Sequence, residues 1–229
     1  FVAELYPRLA RRAPLSVGAG VPAPPPARPT LTLEVSYVDG DAVQYRLDWV
    51  YPGGYRAAWN DDREHSDRDD RAEAQIGERF ETAWMSASDL PLSPRATLRD
   101  ADAAAFSAHV LPAVDVVEEV RVHTRGTRPT FRELRGDPSL RITMVESLDR
   151  DWLDLGIAVT IDGRLIPFGV LFTALSRGRT RIKLSDGAWF SLAHPALQRL
   201  RDLLDEAAAL DEWEAGPSLP RTHLSLWAE

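Results

Sequence analysis

Six carboxylates crowd one imidazole in a short stretch of this sequence: Asp61, Asp62, Glu64, Asp67, Asp69 and Asp70 stand around His65. Carboxylate oxygens and a ring nitrogen are ligand types for a divalent cation. The spacing lacks the central glycine and the terminal bidentate glutamate of an EF-hand loop. An acidic loop running into a helix N-terminus, where negative charge is favourable, accounts for the same residues, so no metal site is expected. Asp149, Asp151 and Asp154 form a second carboxylate group able in principle to exchange protons. Asp149-Arg150-Asp151 reads more simply as a charged turn before a strand. His109, His123, His194 and His223 are scattered, and Ser107, Ser191 and Ser225 lack the strand-turn-helix setting of a nucleophile elbow. The chain contains no cysteine, which excludes disulfides, thiolate zinc sites and a thiol nucleophile. No catalytic residue is assigned.

Nucleotide chemistry is excluded in the same way. A phosphate-binding loop needs glycines whose backbone cradles the phosphates and a lysine that reaches the β and γ oxygens. Lys183 is the single lysine, and Arg179-Thr180-Arg181-Ile182 precede it without a glycine. No cofactor is expected in this segment. The strongest basic feature is the row Arg177, Arg179, Arg181 and Lys183. Positions 179, 181 and 183 share one face of a strand while Ile182 and Leu184 share the other. Such a row could meet a phosphate backbone or a partner protein. The favoured reading, given the acidic charge of the whole, is the solvated face of an amphipathic strand, made positive to blunt an edge. The formal charge of −8 and pI of about 5.2 oppose a free-standing nucleic-acid binder, which draws its affinity from phosphate neutralisation.

Elements that would position these residues follow from periodicity and punctuation. Leu31, Leu33 and Val35 alternate as a strand, and Val43, Tyr45, Leu47, Trp49 and Tyr51 as a longer one, with Asp39-Gly40 between them. Pro52-Gly53-Gly54 turns the chain and Tyr55 to Trp59 returns. A helix is predicted from Arg71 to Met85 with Asp69 or Asp70 as N-cap. Ser86 to Arg99, with Pro91 and Pro94, reads as a linker. Asp100 or Asp102 should cap a helix reaching Val110. Leu140 to Met144 and Leu153 to Ile161 read as strands, Asp162-Gly163 as a hairpin turn, and Arg164 to Ile166 as the return. Pro167 should open a helix whose buried stripe is Val170, Leu171 and Leu175 and whose end is Gly178. Thr180 to Leu184 and Ala188 to Leu192 flank Asp186-Gly187. Pro195 opens a last helix with Leu197, Leu200, Leu203, Leu204 and Leu210 on one side.

The two halves follow one plan. Phe1-x-Ala3-x-x-x-Pro7 parallels Phe106-x-Ala108-x-x-x-Pro112, and Pro29-Thr30-Leu31-Thr32-Leu33 parallels Pro138-Ser139-Leu140-Arg141-Ile142. The expected fold is therefore α+β: antiparallel hairpins packed by helices in two related lobes, residues 1–85 and 101–210. A linker at 86–100 would join them, and 211–229 would lead to a following domain. The opening Phe1, already inside helical spacing, is read as the interior of a longer chain. A 44% apolar, 27% charged composition fits a soluble domain, and no apolar run is long enough to cross a membrane. A cytoplasmic location is the expectation.

One stretch carries a resemblance. Asp151-Trp152-Leu153-Asp154-Leu155, then Ile166-Pro167-Phe168, then Ala174-Leu175-Ser176-Arg177-Gly178, then Leu184-Ser185-Asp186-Gly187-Ala188-Trp189-Phe190 occur in this order. Together they resemble the helicase-associated region that precedes the ATPase core in bacterial Swi/Snf-type proteins. The match covers Pro138 to Leu210, and Phe106 to Pro112 is also family-like. Leu153 stands where an aromatic is usual, and Ala188 where a small hydroxylated residue is usual. The resemblance implies a non-catalytic accessory or regulatory region of a DNA-dependent ATPase. Its partners would be the ATPase core of the same chain, another protein, or DNA or RNA through the basic row, with no membrane. ATP and magnesium would belong to the ATPase core alone. The alternative is an independent protein-binding or scaffold module; a small enzyme using the acidic loop is the weaker rival.

Overall fold

A computed structural model describes residues 28–38, 41–60, 68–146, 152–209 and 218–220. The fold is α+β, as the patterning implies. It divides into two units, Phe1–Pro129 and Thr130–Glu229.

The first unit grows from a long antiparallel pair. Strands β1 (Thr30–Val38) and β2 (Ala42–Val50) run in register from Thr30 opposite Val50 to Val38 opposite Ala42. Period-two alternation sends Leu31, Leu33 and Val35 of β1, and Val43, Tyr45, Leu47 and Trp49 of β2, into the core. Gly53 and Gly54 at positive φ turn the chain into β3 (Arg56–Ala58), which pairs with the end of β2. Helix α1 (Asp70–Ala87) starts where Asp69 Oδ1 accepts the Ala72 N–H at 3.0 Å. Ala72, Ile76, Phe80 and Trp84, spaced four apart, form its buried stripe.

Residues 86–100 are not a linker. Trp84 Nε1 donates to the Leu90 carbonyl at 2.7 Å, and Leu90 is buried. Strand β4 (Arg95–Leu98) then pairs with β2, Val43 opposite Leu98 and Arg46 opposite Arg95. The two prolines only shape a short extended passage between helix and strand. Next come α2 (Asp100–Ala105), a π-helical turn (Phe106–Val110) and α3 (Leu111–Asp115). Neither expected aspartate caps α2. The N-cap is Arg99, without a side-chain bond, and Asp100 takes a φ of 52°. Strand β5 (Val120–Arg125) closes the sheet by pairing parallel to β1, Leu31 opposite Val120. The sheet order is β3-β2-β1-β5, with β4 also on β2. Residues 101–129 therefore belong to the first unit, not to a second lobe, and the domain boundary falls after Pro129.

The π turn has a local cause. Pro112 has no N–H, and inside an ordinary helix its ring would strike the carbonyl of residue 108. The Leu111 N–H bonds back to the Phe106 carbonyl, one residue farther than α geometry. That leaves the Ser107 carbonyl without its α partner, and Arg128 Nη2 donates to it at 2.5 Å.

The second unit holds two sheets. Strands β7 (Ser139–Glu146) and β8 (Trp152–Ile161) pair antiparallel, Ser139 opposite Thr160. Asp162 and Gly163, both at positive φ, form the expected tight turn into β9 (Arg164–Ile166). Pro167 is the N-cap of α4 (Phe168–Ser176) rather than its first residue. Gly178 ends that helix at φ 66°, with Gly178 N–H to Leu175 O at 2.9 Å and Arg179 N–H to Ala174 O at 3.0 Å. Strands β10 (Arg181–Lys183) and β11 (Ala188–Ser191) form the second hairpin, and β6 (Arg132–Glu133) lies parallel to β11 on its other side. Helix α5 (Pro195–Ala209) buries Leu197, Leu200 and Leu204; Leu203 is half-buried, and Leu210 lies outside the described residues. The core unites Val159, Ile161 and Ile166 with Leu171, Leu175, Phe190 and those leucines. Val170 is not in the stripe of α4: it is 44% exposed, and Ala174 takes that role. Within 211–229, Ser218–Pro220 form β12 against β8, so that stretch is not linker throughout.

Both units run strand, long strand, short return, helix, as β1-β2-β3-α1 and β7-β8-β9-α4. They diverge afterwards, because β4 and β5 join the first sheet whereas β10 and β11 form a separate one with β6. The helix expected over residues 1–12 lies outside the described residues.

Phe106→Ala is expected to destabilise the first unit by about 3–5 kcal/mol, the usual cost of emptying a buried phenylalanine site. Amide exchange read by mass spectrometry should speed up in β1, β2 and α1 while β10 and β11 keep their protection. Faster exchange confined to β10 and β11 would refute the assignment of this helix.

Candidate functional site

The basic row meets the structure in three ways. Arg177 is the C-cap of α4 and Arg179 follows Gly178, so both are exposed and set by one helix ending. Arg181 and Lys183 lie on β10, an edge strand of its sheet, and both are half-buried. Ile182 and Leu184 fill the core from the opposite face, as alternation requires. The basic face is not simply solvated, since Lys183 stands opposite Trp189, which is 2% exposed. Burial pushes the Arg181 guanidinium pKa down. Arg201 of α5 adds a cation that sequence reasoning missed: its Nη2 donates to the Arg179 carbonyl at 2.7 Å. Its position twenty-two residues downstream, on another element, gave no local signal.

The first unit contains a polar network that the sequence did not reveal. Tyr51 and Glu73 are both buried, and the Tyr51 hydroxyl donates to Glu73 Oε1 at 2.5 Å. The Asp69 N–H donates to the same hydroxyl at 3.0 Å. Arg68 closes a fork on Glu73, Nε to Oε1 at 3.1 Å and Nη2 to Oε2 at 2.5 Å, with its own side chain 7% exposed. Burial, followed by the bond to Glu73, pushes the Tyr51 phenol far above its ordinary value. Each group here already has its partners, so the network anchors the start of α1 rather than waiting for a substrate.

Beside it, the outer face of α1 and the β3 return enclose two adjoining clefts. Trp59 stacks on Trp49 at 5.3 Å, tilts against Phe80 at 5.5 Å and brings the benzo edge of its indole beside Gly77. Trp59, Asn60 and Glu81 line both clefts. One continues past Asp70, Glu73 and Glu78 and the other past Met85, Asp89 and Pro91. The second has a volume of about 630 Å³. Met85 is 70% exposed on its wall.

Among the described residues the catalytic and metal candidates of the sequence do not assemble. His65 with Asp61, Asp62, Glu64 and Asp67 lies outside the described residues, as do Asp149 and Asp151. Asp69 caps α1, and Asp70 stands 3.9 Å from Arg68. Ser107 Oγ donates to Ala103 O, and Ser191 Oγ accepts the Ala193 N–H. His194 Nδ1 accepts the Ala196 N–H near the start of α5, and its Nε2 faces Asp137 at 3.3 Å. Among the described residues no three His, Cys, Asp or Glu side chains are placed to hold a metal ion, and no helix is long and apolar enough to cross a membrane. Comparison of the chain with protein-family models, with curated proteins and with solved structures found no match.

Tyr51→Phe should cost about 1–3 kcal/mol near neutrality, because the Glu73 carboxylate and the Asp69 N–H each lose a buried partner. The sign with pH follows from the raised phenol: the folded state holds its proton more tightly than the unfolded chain does. That stability is fully present below about pH 10 and declines as pH rises beyond it. Urea midpoints from about pH 7 to about pH 10.5 should show the gap between native and variant narrowing at the alkaline end. A gap that widens there would contradict the assignment.

Proposed function

We propose that this chain is a non-catalytic accessory region of a Swi/Snf-type DNA-dependent ATPase from a bacterium. In this reading the margin of its second unit meets a phosphate backbone or the motor of the same protein. The observation that carries the proposal is the gathering of Arg177, Arg179, Arg181, Lys183 and Arg201 around one helix ending and one edge strand. Support comes also from the ordered motif set. The Asp162-Gly163 turn, the Pro167 helix start, the Gly178 helix end and the Asp186-Gly187 hairpin all build a single core. These residues specify a scaffold and contain no reacting group, which fits a region that positions rather than catalyses. ATP and magnesium would be bound elsewhere in the same protein.

A second reading, a protein-binding module without nucleic-acid function, is favoured by the acidic clefts of the first unit and the overall charge of −8. The two readings differ in salt dependence. Each lysine or arginine that neutralises a phosphate releases counterions and contributes about one unit to the slope of log affinity against log salt. Arg181 is excluded from the test because burial desolvates its guanidinium. The triple change Arg177→Ala, Arg179→Ala and Lys183→Ala, made in the full-length protein, should lower the DNA-binding salt slope by roughly two to three units across unrelated sequences. An unchanged slope with the fold intact would assign the role of this margin to protein contacts.

A further inference from the structure

The paired clefts of the first unit have a composition that the accessory reading does not use. Their shared wall is an aromatic ring beside carboxylates. Glu78 and Glu81 project from the exposed side of α1, and among the described residues neither forms an ion pair. Of the other cleft carboxylates, Glu73 pairs with Arg68 and Asp70 stands 3.9 Å from the same guanidinium. Trp49, Phe80 and Gly77 cover part of the Trp59 indole, and its remaining surface is half-exposed along both clefts. Met85 at 70% exposure, Pro91 and Leu92 extend an apolar floor past the ring. Gly77 lies beside the benzo edge of the indole, where an added Cβ would make van der Waals contact with the ring at 3.4 Å.

We propose that these clefts dock an arginine-bearing segment of a partner protein. A guanidinium is planar and weakly hydrated; it stacks on an indole face while its N–H fork pairs with a carboxylate. Trp59 supplies the face, and Glu81, lining both clefts, supplies the carboxylate, with Glu78 as the second acceptor. The apolar neighbours of the arginine settle on Met85 and Pro91. A phosphate backbone is the wrong sign for this surface, and the ammonium of lysine lacks the planar match to the ring. The inference is independent of the basic margin of the second unit.

The test titrates the whole chain with a fluorescent twelve-residue peptide carrying two arginines among alanine, leucine and proline, read by anisotropy and by tryptophan emission. Counterparts replace each arginine with lysine or with citrulline, which keeps the shape and removes the charge. The arginine peptide should bind at least about tenfold more tightly than the citrulline peptide. Glu81→Arg, a change on an exposed helix face, should reduce its binding by about tenfold or more. Glu81→Gln should give a smaller loss, and Arg179→Ala none. Tryptophan emission should shift on binding in the native chain. Equal affinity for arginine and citrulline peptides, or full binding to a folded Glu81→Arg chain, would overturn the proposal. Self-association that Glu81→Arg abolishes, detected by sedimentation, would assign the clefts to a second copy of this chain and overturn it as well.

Discussion

Three rings from three separate elements close on one another in the first unit, and most of its architecture depends on that contact. Tyr45 of β2 stacks on Phe106 of the π turn at 5.2 Å and meets Trp84 of α1 at 5.4 Å, while Trp84 and Phe106 meet at 5.5 Å. Each ring is at most 3% exposed. Tilted and offset aromatic pairs add to the stabilisation that area burial alone provides. The cluster fixes the distance of both helical elements from the sheet. It also fixes the end of α1, because Trp84 Nε1 holds the Leu90 carbonyl and brings the chain to β4. Phe80 continues the series to Trp59 and Trp49, so the wall of the acidic clefts is an outward extension of the same aromatic core.

Polar anchoring at the other end of α1 complements this packing. Tyr51, Arg68, Glu73 and the Asp69 backbone satisfy one another in a largely buried space. Burying a carboxylate is costly unless it is paired and hydrogen-bonded. Here the fork from Arg68 and the phenol together meet that requirement. The helix is thus held by rings at its C-terminal end and by a charge-assisted network at its N-terminal end. The stripe between these anchors leaves Glu78 and Glu81 on the outside.

Much of this was legible because local pattern and tertiary role coincide. The alternation Val43, Tyr45, Leu47, Trp49, Tyr51 named five buried residues in one run, since period two survives whatever the sheet pairs with. The tight turn at Asp162-Gly163 and the helix end at Gly178 were equally readable, because positive φ demands particular residues. What could not be read is long-range. Nothing near Val120 indicates that it will lie beside Leu31, and β4 hides behind two prolines that resemble a linker. Local pattern therefore places the boundary near residue 86, whereas pairing of β4 and β5 carries α2 into the first unit. The clefts combine Trp59 with a helix face and with Pro91. Only the spacing Asp70, Glu73, Gly77, Glu81 and Met85 foreshadowed them as one stripe.

The extra residue in the π turn has a rotational meaning. In an α-helix each residue advances about 100° around the axis, so a one-residue surplus turns everything after it by that amount. Before the turn the buried side chains are small: Ala101, Ala103, Ala104 and Ala105. Within it they include Phe106 and Val110, and after it they are Leu111 and Val114. The π turn therefore joins a narrow alanine face to a broader face of phenylalanine, valine and leucine, and the buried side of the segment tapers by side-chain size.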